Sequence, residues 1–235
     1  MKKLYVHPLP VRIWHWINAT SVVALIITGV QIRYVGVIDL MSLKLAVSMH
    51  NWIGFILMGN FLVWLFYYLF SDKISVYHPD LNPKRYYRDA IRQARFYGYG
   101  IFRGAPNPHH MSPLNKFNPL QRVSYQIIML IAIPAQIFTG LLLWDVARFS
   151  GVVDILGGVR VVDTVHVLIF IFFVFFLFIH VYLATLGHTA TAHIKAMFTG
   201  YEDSDEETST TSKAKQEDEG TPQPVSRPLY PIQIH

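Results

Sequence analysis

The chain has 235 residues, 52% of them apolar and 15% charged, with a formal net charge of +5. That is little charge for a water-soluble domain of this length, and the apolar residues are gathered into long uncharged runs. The absence of cysteine excludes disulfides, thiolate metal sites, cysteine-ligated iron–sulfur clusters and covalent haem attachment through a C-x-x-C-H motif.

The N-terminus, MKKLYVHPLPVRIWHW, has early lysines but no short apolar core followed by a small-residue cleavage site, so the first apolar run is expected to be retained. Four runs contain no Asp, Glu, Lys or Arg: residues 13–32, 45–71, 123–144 and 164–194. A helix needs about 20 mostly apolar residues to cross the hydrocarbon layer, and each run is long enough. The predicted fold is therefore an all-α membrane protein, a bundle of four transmembrane helices over about residues 14–32, 45–70, 123–144 and 164–186. Pro134 removes a backbone donor from the third span and is expected to kink it.

Between spans two and three lies a long loop, residues 71–122. Within its stretch KRYYRDAIRQARFYGYG, Arg85, Arg88, Arg92 and Arg95 share one helical face, while Tyr87, Ile91 and Ala94 fall on another. That pattern suits a helix in the membrane interface with its arginines toward anionic lipid headgroups, and it equally suits a solvated surface helix. The loop between spans three and four, residues 145–163, is rich in Gly and Val. From residue 202 the composition turns acidic and Ser/Thr-rich, so the chain divides into a membrane domain, residues 1–201, and a C-terminal tail, residues 202–235, expected to be disordered.

Of the 20 Lys and Arg residues, 16 fall in the N-terminal segment, the 71–122 loop and the C-terminal segment. Basic residues are retained on the cytoplasmic side, which places both termini and the long loop inside.

His15, His50, His166 and His180 all lie within uncharged runs. An ionisable side chain in a membrane span is costly and usually functional. By position, His15 and His180 lie near the inner ends of spans one and four, whereas His50 and His166 lie near the outer ends of spans two and four. The 14-residue step from His166 to His180 is nearly four helical turns, so both face one side of the helix about 21 Å apart. One face of span four thus presents two ligands at two depths, each able to close on a histidine of another helix around a planar cofactor. Haem iron with two axial imidazoles fits this pattern. Zinc fits poorly, because each pair supplies two ligands with no carboxylate nearby, and a proton relay lacks acidic residues in the spans. Gly29, Gly54 and Gly140 serve either close helix packing or the accommodation of a macrocycle.

PVRIWHW, the early-span-two His50, KFNPLQRVSY, TGLLLW and HVYLATLGHTATAHIKAM together resemble the di-haem cytochrome b subunits of membrane-bound hydrogenases, formate dehydrogenases and thiosulfate reductases. The likeness covers about residues 5–201. It implies two b-type haems, with His15, His180, His50 and His166 as iron ligands. It further implies electron passage between an iron–sulfur partner on the outer face, with its catalytic subunit, and menaquinone or ubiquinone near the inner face. The location implied is a bacterial or archaeal cytoplasmic membrane, with no nucleic-acid partner. In the formate dehydrogenase branch the quinone lies beside the inner haem, at positions that correspond to His180 and Asn118. That branch has a Gly where this chain has Leu120. The loop feeding span three brings Lys116 and Gln121 to the same depth, while Asn118 also suits a helix cap. Two other readings are a stand-alone di-haem quinol oxidase and a membrane anchor lacking one or both haems; the intact four-histidine set disfavours the anchor.

Overall fold

The computed structural model describes residues 3–70, 83–108, 118–186 and 191–203. Strand β1 (Lys3–Tyr5) leads into helix α1 (Leu9–Arg33), followed by α2 (Leu43–Leu69) and α3 (Pro83–Arg95). A π-helical turn (Phe96–Gly100) and a 3-10 turn (Ile101–Arg103) extend α3. The third long helix is composite, with α4 (Pro119–Ile127) joined to α5 (Ile133–Trp144) through a π-helical turn, Ile128–Ala132. Short α6 (Ser150–Ile155) precedes α7 (Val159–Ala184), α8 (Ala192–Thr199) and strand β2 (Tyr201–Asp203). Four of these helical segments are long and apolar enough to cross a membrane: α1, α2, α4–α5 and α7.

The helices start earlier than the uncharged runs because local signals, not charge, set their first turns. Pro8 and Pro10 stand where α1 begins and where a missing N–H costs nothing. The Ser42 hydroxyl accepts from the Leu45 N–H at the start of α2. Gly157 and Gly158, at φ +96° and +93°, make the reversal between α6 and α7 in a conformation that other residues rarely adopt. At its far end α7 stops at Ala184, two residues short of the predicted boundary.

Pro134 acts through the π-helical turn ahead of it. The N–H of Ile133 reaches back five residues to the Ile128 carbonyl, so the ladder widens just before the residue that has no N–H to contribute.

The helix expected over residues 84–100 of the long loop is present as α3 and its first extension. Helix α3 packs along α4 in antiparallel fashion, since the Tyr86 hydroxyl donates to Gln126 Oε1 (2.7 Å) and the Asn118 amide donates to the Tyr97 hydroxyl (3.2 Å). The buried stripe of α3 is Tyr86, Ala90 and Gln93, spaced one helical turn apart. The predicted apolar face is a different one, and there Tyr87 and Ile91 remain exposed. Burial pushes the Tyr86 hydroxyl above the usual tyrosine range, so it stays protonated and able to donate.

Helices α1 and α2 pack along one another, as do α5 and α7. Trp64, Ile128 and Met129 form one buried cluster with Trp14, Phe173 and Phe176 against it. Leu142, Val153 and Val162 form a second, with Leu143 and Phe149. In contrast, the backbone of α7 stands off from α1 and α2, and none of its most apolar stretch is buried within the protein.

One element adds to the all-helical expectation. β1 and β2 pair antiparallel, with Lys3 opposite Asp203 and Tyr5 opposite Tyr201. This ribbon carries Glu202 and Asp203 two residues past the predicted start of the tail; residues 204–235 lie outside the described residues. Gly200, at φ +88°, turns the chain from α8 into β2, and its carbonyl accepts from the Val6 N–H (2.9 Å). The ends of the described chain therefore meet at one end of the bundle.

Candidate functional site

The four span histidines come together in two pairs. The rings of His15 on α1 and His180 on α7 have centroids 6.2 Å apart, and those of His50 on α2 and His166 on α7 are 6.4 Å apart. At both places side chains reach across the space between α7 and the α1–α2 pair, as they also do where Phe173 and Phe176 meet the Trp64 cluster and where Arg33 pairs with Asp163 (3.3 Å). Two imidazoles on opposite sides of one metal, each with a bond of about 2.0 Å, have ring centroids about 6.3 Å apart. Both pairs match that spacing. Elsewhere among the described residues, no three His, Asp or Glu side chains gather as a metal-binding group.

The His50–His166 pair is held from the side by two Thr–Gly dipeptides. Thr28 Oγ1 lies 2.9 Å from His50 Nδ1, and Thr139 Oγ1 lies 2.9 Å from His166 Nδ1. A Cβ on Gly29 would sit 3.4 Å from His50 Cε1, and one on Gly140 would sit 3.3 Å from His166 Cε1. Gly140, and at the limit of ordinary contact Gly29, thus admit the imidazoles themselves. Nothing lies within 4 Å of a Cβ built on Gly54. Gln136 adds a third contact, its amide 3.1 Å from His166 Nε2, and its buried carbonyl oxygen has no partner.

The His15–His180 pair is supported differently. The His180 ring stacks on Phe176 (5.5 Å), His15 meets the edge of Trp16 (5.3 Å), and His15 Nδ1 is buried with no hydrogen-bond partner. Trp16 in turn stacks on Phe198 (4.3 Å) and donates from Nε1 to the Met197 carbonyl (3.2 Å), while the Arg12 guanidinium donates to the Phe198 carbonyl. Helix α8 is clamped in this way to the turns of α1 that carry His15. Leu9, Arg12, Ile13, Trp16, Met197 and Phe198 line an open groove of about 410 Å³ beside the clamp.

Among the predicted quinone contacts, Asn118 is buried and caps α4. Its side-chain oxygen accepts from the Gln121 N–H (2.8 Å), and the Gln121 side chain returns a bond to the Asn118 N–H (3.0 Å). This reciprocal capping box, together with the bond to Tyr97, uses the amide oxygen and one of its two amide hydrogens. Lys116 lies outside the described residues.

Thr28, Thr139 and Gln136 were not singled out from the sequence. A Thr–Gly dipeptide in two separate spans, ITGV and FTGL, is the signal that could have found the threonines.

A model of the prokaryotic cytochrome b561 family matches residues 6–200. The chain is 34% identical over 203 residues to a protein named cytochrome YdhU from Escherichia coli K12, covering 85% of this chain and 75% of that one. It is 26% identical over 206 residues to a protein of Cupriavidus necator named as a Ni/Fe-hydrogenase B-type cytochrome subunit, covering 78% and 80% of the two chains. A third relative, from Azospira oryzae, is named protein-methionine-sulfoxide reductase subunit YedZ1; it is 24% identical over 176 residues, covering 70% and 83%. No solved structure matches the chain.

Proposed function

The chain belongs to the prokaryotic cytochrome b561 family, and on that premise we propose that it carries electrons through two bis-histidine haems between a catalytic partner and the quinone pool. Family membership makes it a membrane b-type cytochrome and implies b-type haem and electron transfer. In the proposed reading His15 and His180 hold an inner haem, and His50 and His166 an outer one. The observation that carries this is the spacing of the two ring pairs, 6.2 and 6.4 Å, each suited to one iron between two imidazoles.

When bound, haem supplies a one-electron couple at its iron. The residues of this chain do the rest. The four imidazoles fix two depths along α7, separated by about 21 Å. Phe176, stacked against His180, and the Trp16–Phe198 stack behind His15 hold the inner rings in place. The uncharged spans around both pairs limit the entry of water.

The quinone is proposed to meet the chain near the inner pair, by His180, Asn118, Lys116 and Gln121. A quinone carbonyl that gains charge needs a hydrogen-bond donor and a source of protons. Asn118 keeps one amide hydrogen beyond its bond to Tyr97. The partner is proposed to be an iron–sulfur protein with its catalytic subunit, of the hydrogenase or formate dehydrogenase type, docking at the outer end of a bundle whose termini face the cytoplasm. Two of the relatives carry the word subunit in their names, one of them a hydrogenase cytochrome, which favours a partnered role over a stand-alone oxidase.

The test is a pyridine haemochrome assay on the purified chain, followed by isolation under mild conditions. Two haems per chain and co-purification with a larger iron–sulfur protein are expected. One haem or none overturns the two-haem reading, and quinol oxidation by the isolated chain with a small acceptor overturns the partnered role.

A further inference from the structure

We propose that Thr28 and Thr139 are positioning residues for the outer haem: they hold His50 and His166 as Nδ1–H tautomers and give that haem a lower midpoint potential than the inner one. This rests on the two-haem reading above and adds to it the direction in which electrons run downhill.

The tautomer follows from counting hydrogens. A threonine hydroxyl has one hydrogen to donate. Thr28 donates its own to the Ala24 carbonyl (2.8 Å), and Thr139 donates to the Ala135 carbonyl (2.8 Å). With that hydrogen engaged on the helix carbonyl, both oxygens face the imidazoles 2.9 Å away as acceptors. In this arrangement His50 and His166 carry their protons on Nδ1, which makes the Nε2 lone pair the metal-binding one. At His166 a second contact points the same way, since the Gln136 amide nitrogen donates to Nε2 (3.1 Å) and so needs a lone pair there.

The adjoining glycines leave room for each ring. With a side chain at 29 or 140, the histidine Cε1 would meet a carbon at 3.4 or 3.3 Å, tighter than ordinary contact at Gly140 and at its near limit at Gly29. Hydroxyl and missing Cβ thus act as a two-point cradle: one fixes the nitrogen and the other admits the carbon beside it. The same cradle is built twice, by α1 for α2 and by α5 for α7.

The inner pair lacks this support at His15, whose Nδ1 is buried with no partner. A hydrogen bond accepted from Nδ1–H raises the basicity of the ligating nitrogen. A more basic axial ligand favours the ferric form and lowers the potential, one of the protein's levers on haem. Two such bonds act on the outer pair. Electrons entering at the outer end are then drawn toward the inner haem, the end proposed to face the quinone.

The experiment is a redox titration of the full-length chain followed in the haem absorption bands, with His50→Ala used to identify the outer component. Wild type is expected to show two components, the outer one lower. Thr28→Val and Thr139→Val, made singly, are expected to shift the outer ferric/ferrous equilibrium up to tenfold toward ferrous, about 59 mV for one electron, without moving the inner component. Thr28→Ser and Thr139→Ser keep the hydroxyl and should titrate like wild type. Loss of the outer haem in a Val variant but not in its Ser counterpart also supports the positioning role. Two haems whose potentials ignore the Val changes, a Ser variant that shifts like Val, or a wild-type outer component above the inner one overturns this inference alone. A wild-type chain with fewer than two haems overturns the two-haem reading and this inference with it.

Discussion

His15 and His180 come from opposite ends of the chain, yet their rings face each other at 6.2 Å across the space between α1 and α7. α8, which follows α7 directly in sequence, is clamped to the same turns of α1 through Trp16 and Arg12. The His15–His180 pair is therefore held both by the bundle and by the segment that closes it.

The two pairs are separate enough to be lost one at a time. His15→Ala is expected to remove the inner haem and His50→Ala the outer one, each leaving much of the remaining spectrum. Haem content and low-temperature absorption spectra of the single variants check this. Loss of both haems from either change, in a chain that still inserts stably, would falsify the pairing.

Asn118 has two roles to tell apart. As a cap it accepts from the Gln121 N–H, and its removal should cost about 1 kcal/mol of stability. As a quinone contact it supplies an amide hydrogen. Asn118→Leu should leave both haem spectra intact and slow their oxidation by a quinone analogue severalfold. Asn118→Ser retains a capping oxygen but not the amide, so it should be as stable as wild type and still slow. A Ser variant with wild-type quinone kinetics would assign the residue to capping alone.

Gly200 should tolerate no side chain. Its φ of +88° costs a residue with Cβ roughly 1–2 kcal/mol. The added atom would also lie 2.8 Å from Tyr5 Cε2 and 2.9 Å from the His7 carbonyl oxygen. Gly200→Ala is expected to lower the thermal midpoint and to raise the rate at which a protease cuts near residue 200. A variant that melts and is cut like wild type would show that the ribbon adds nothing to stability.

A chain ending after Asp203 should keep both haems. The segment it loses is acidic and Ser/Thr-rich with no apolar periodicity, a composition that cannot bury a core. Cutting after Gly200 instead would also remove β2 and its pairing with β1, so it should be the less stable of the two. Equal melting of the two truncations, or haem loss from the longer one, would contradict this.

The membrane-spanning segments were legible in the sequence because their signal is local. An uncharged run of 20 residues needs no knowledge of its neighbours, and neither does the 14-residue step that puts His166 and His180 on one face of α7. Pairing His15 with His180 and His50 with His166 followed from depth alone, and the ring contacts join the same residues. Helix starts were harder to place, because Pro10, Ser42 and Asn118 act through single backbone groups that leave no hydropathy signal. The stripe of α3 that packs was missed because Gln93, which is 1% exposed, is polar and satisfied by Asn107. What only the tertiary structure decided is which side chain stands beside which imidazole. Thr28 reaches His50, Thr139 reaches His166, and Gly29 and Gly140 admit the rings. Each is a contact of a few ångströms between different helices, and its geometry depends on how those helices rotate and approach. No periodicity within one segment encodes that.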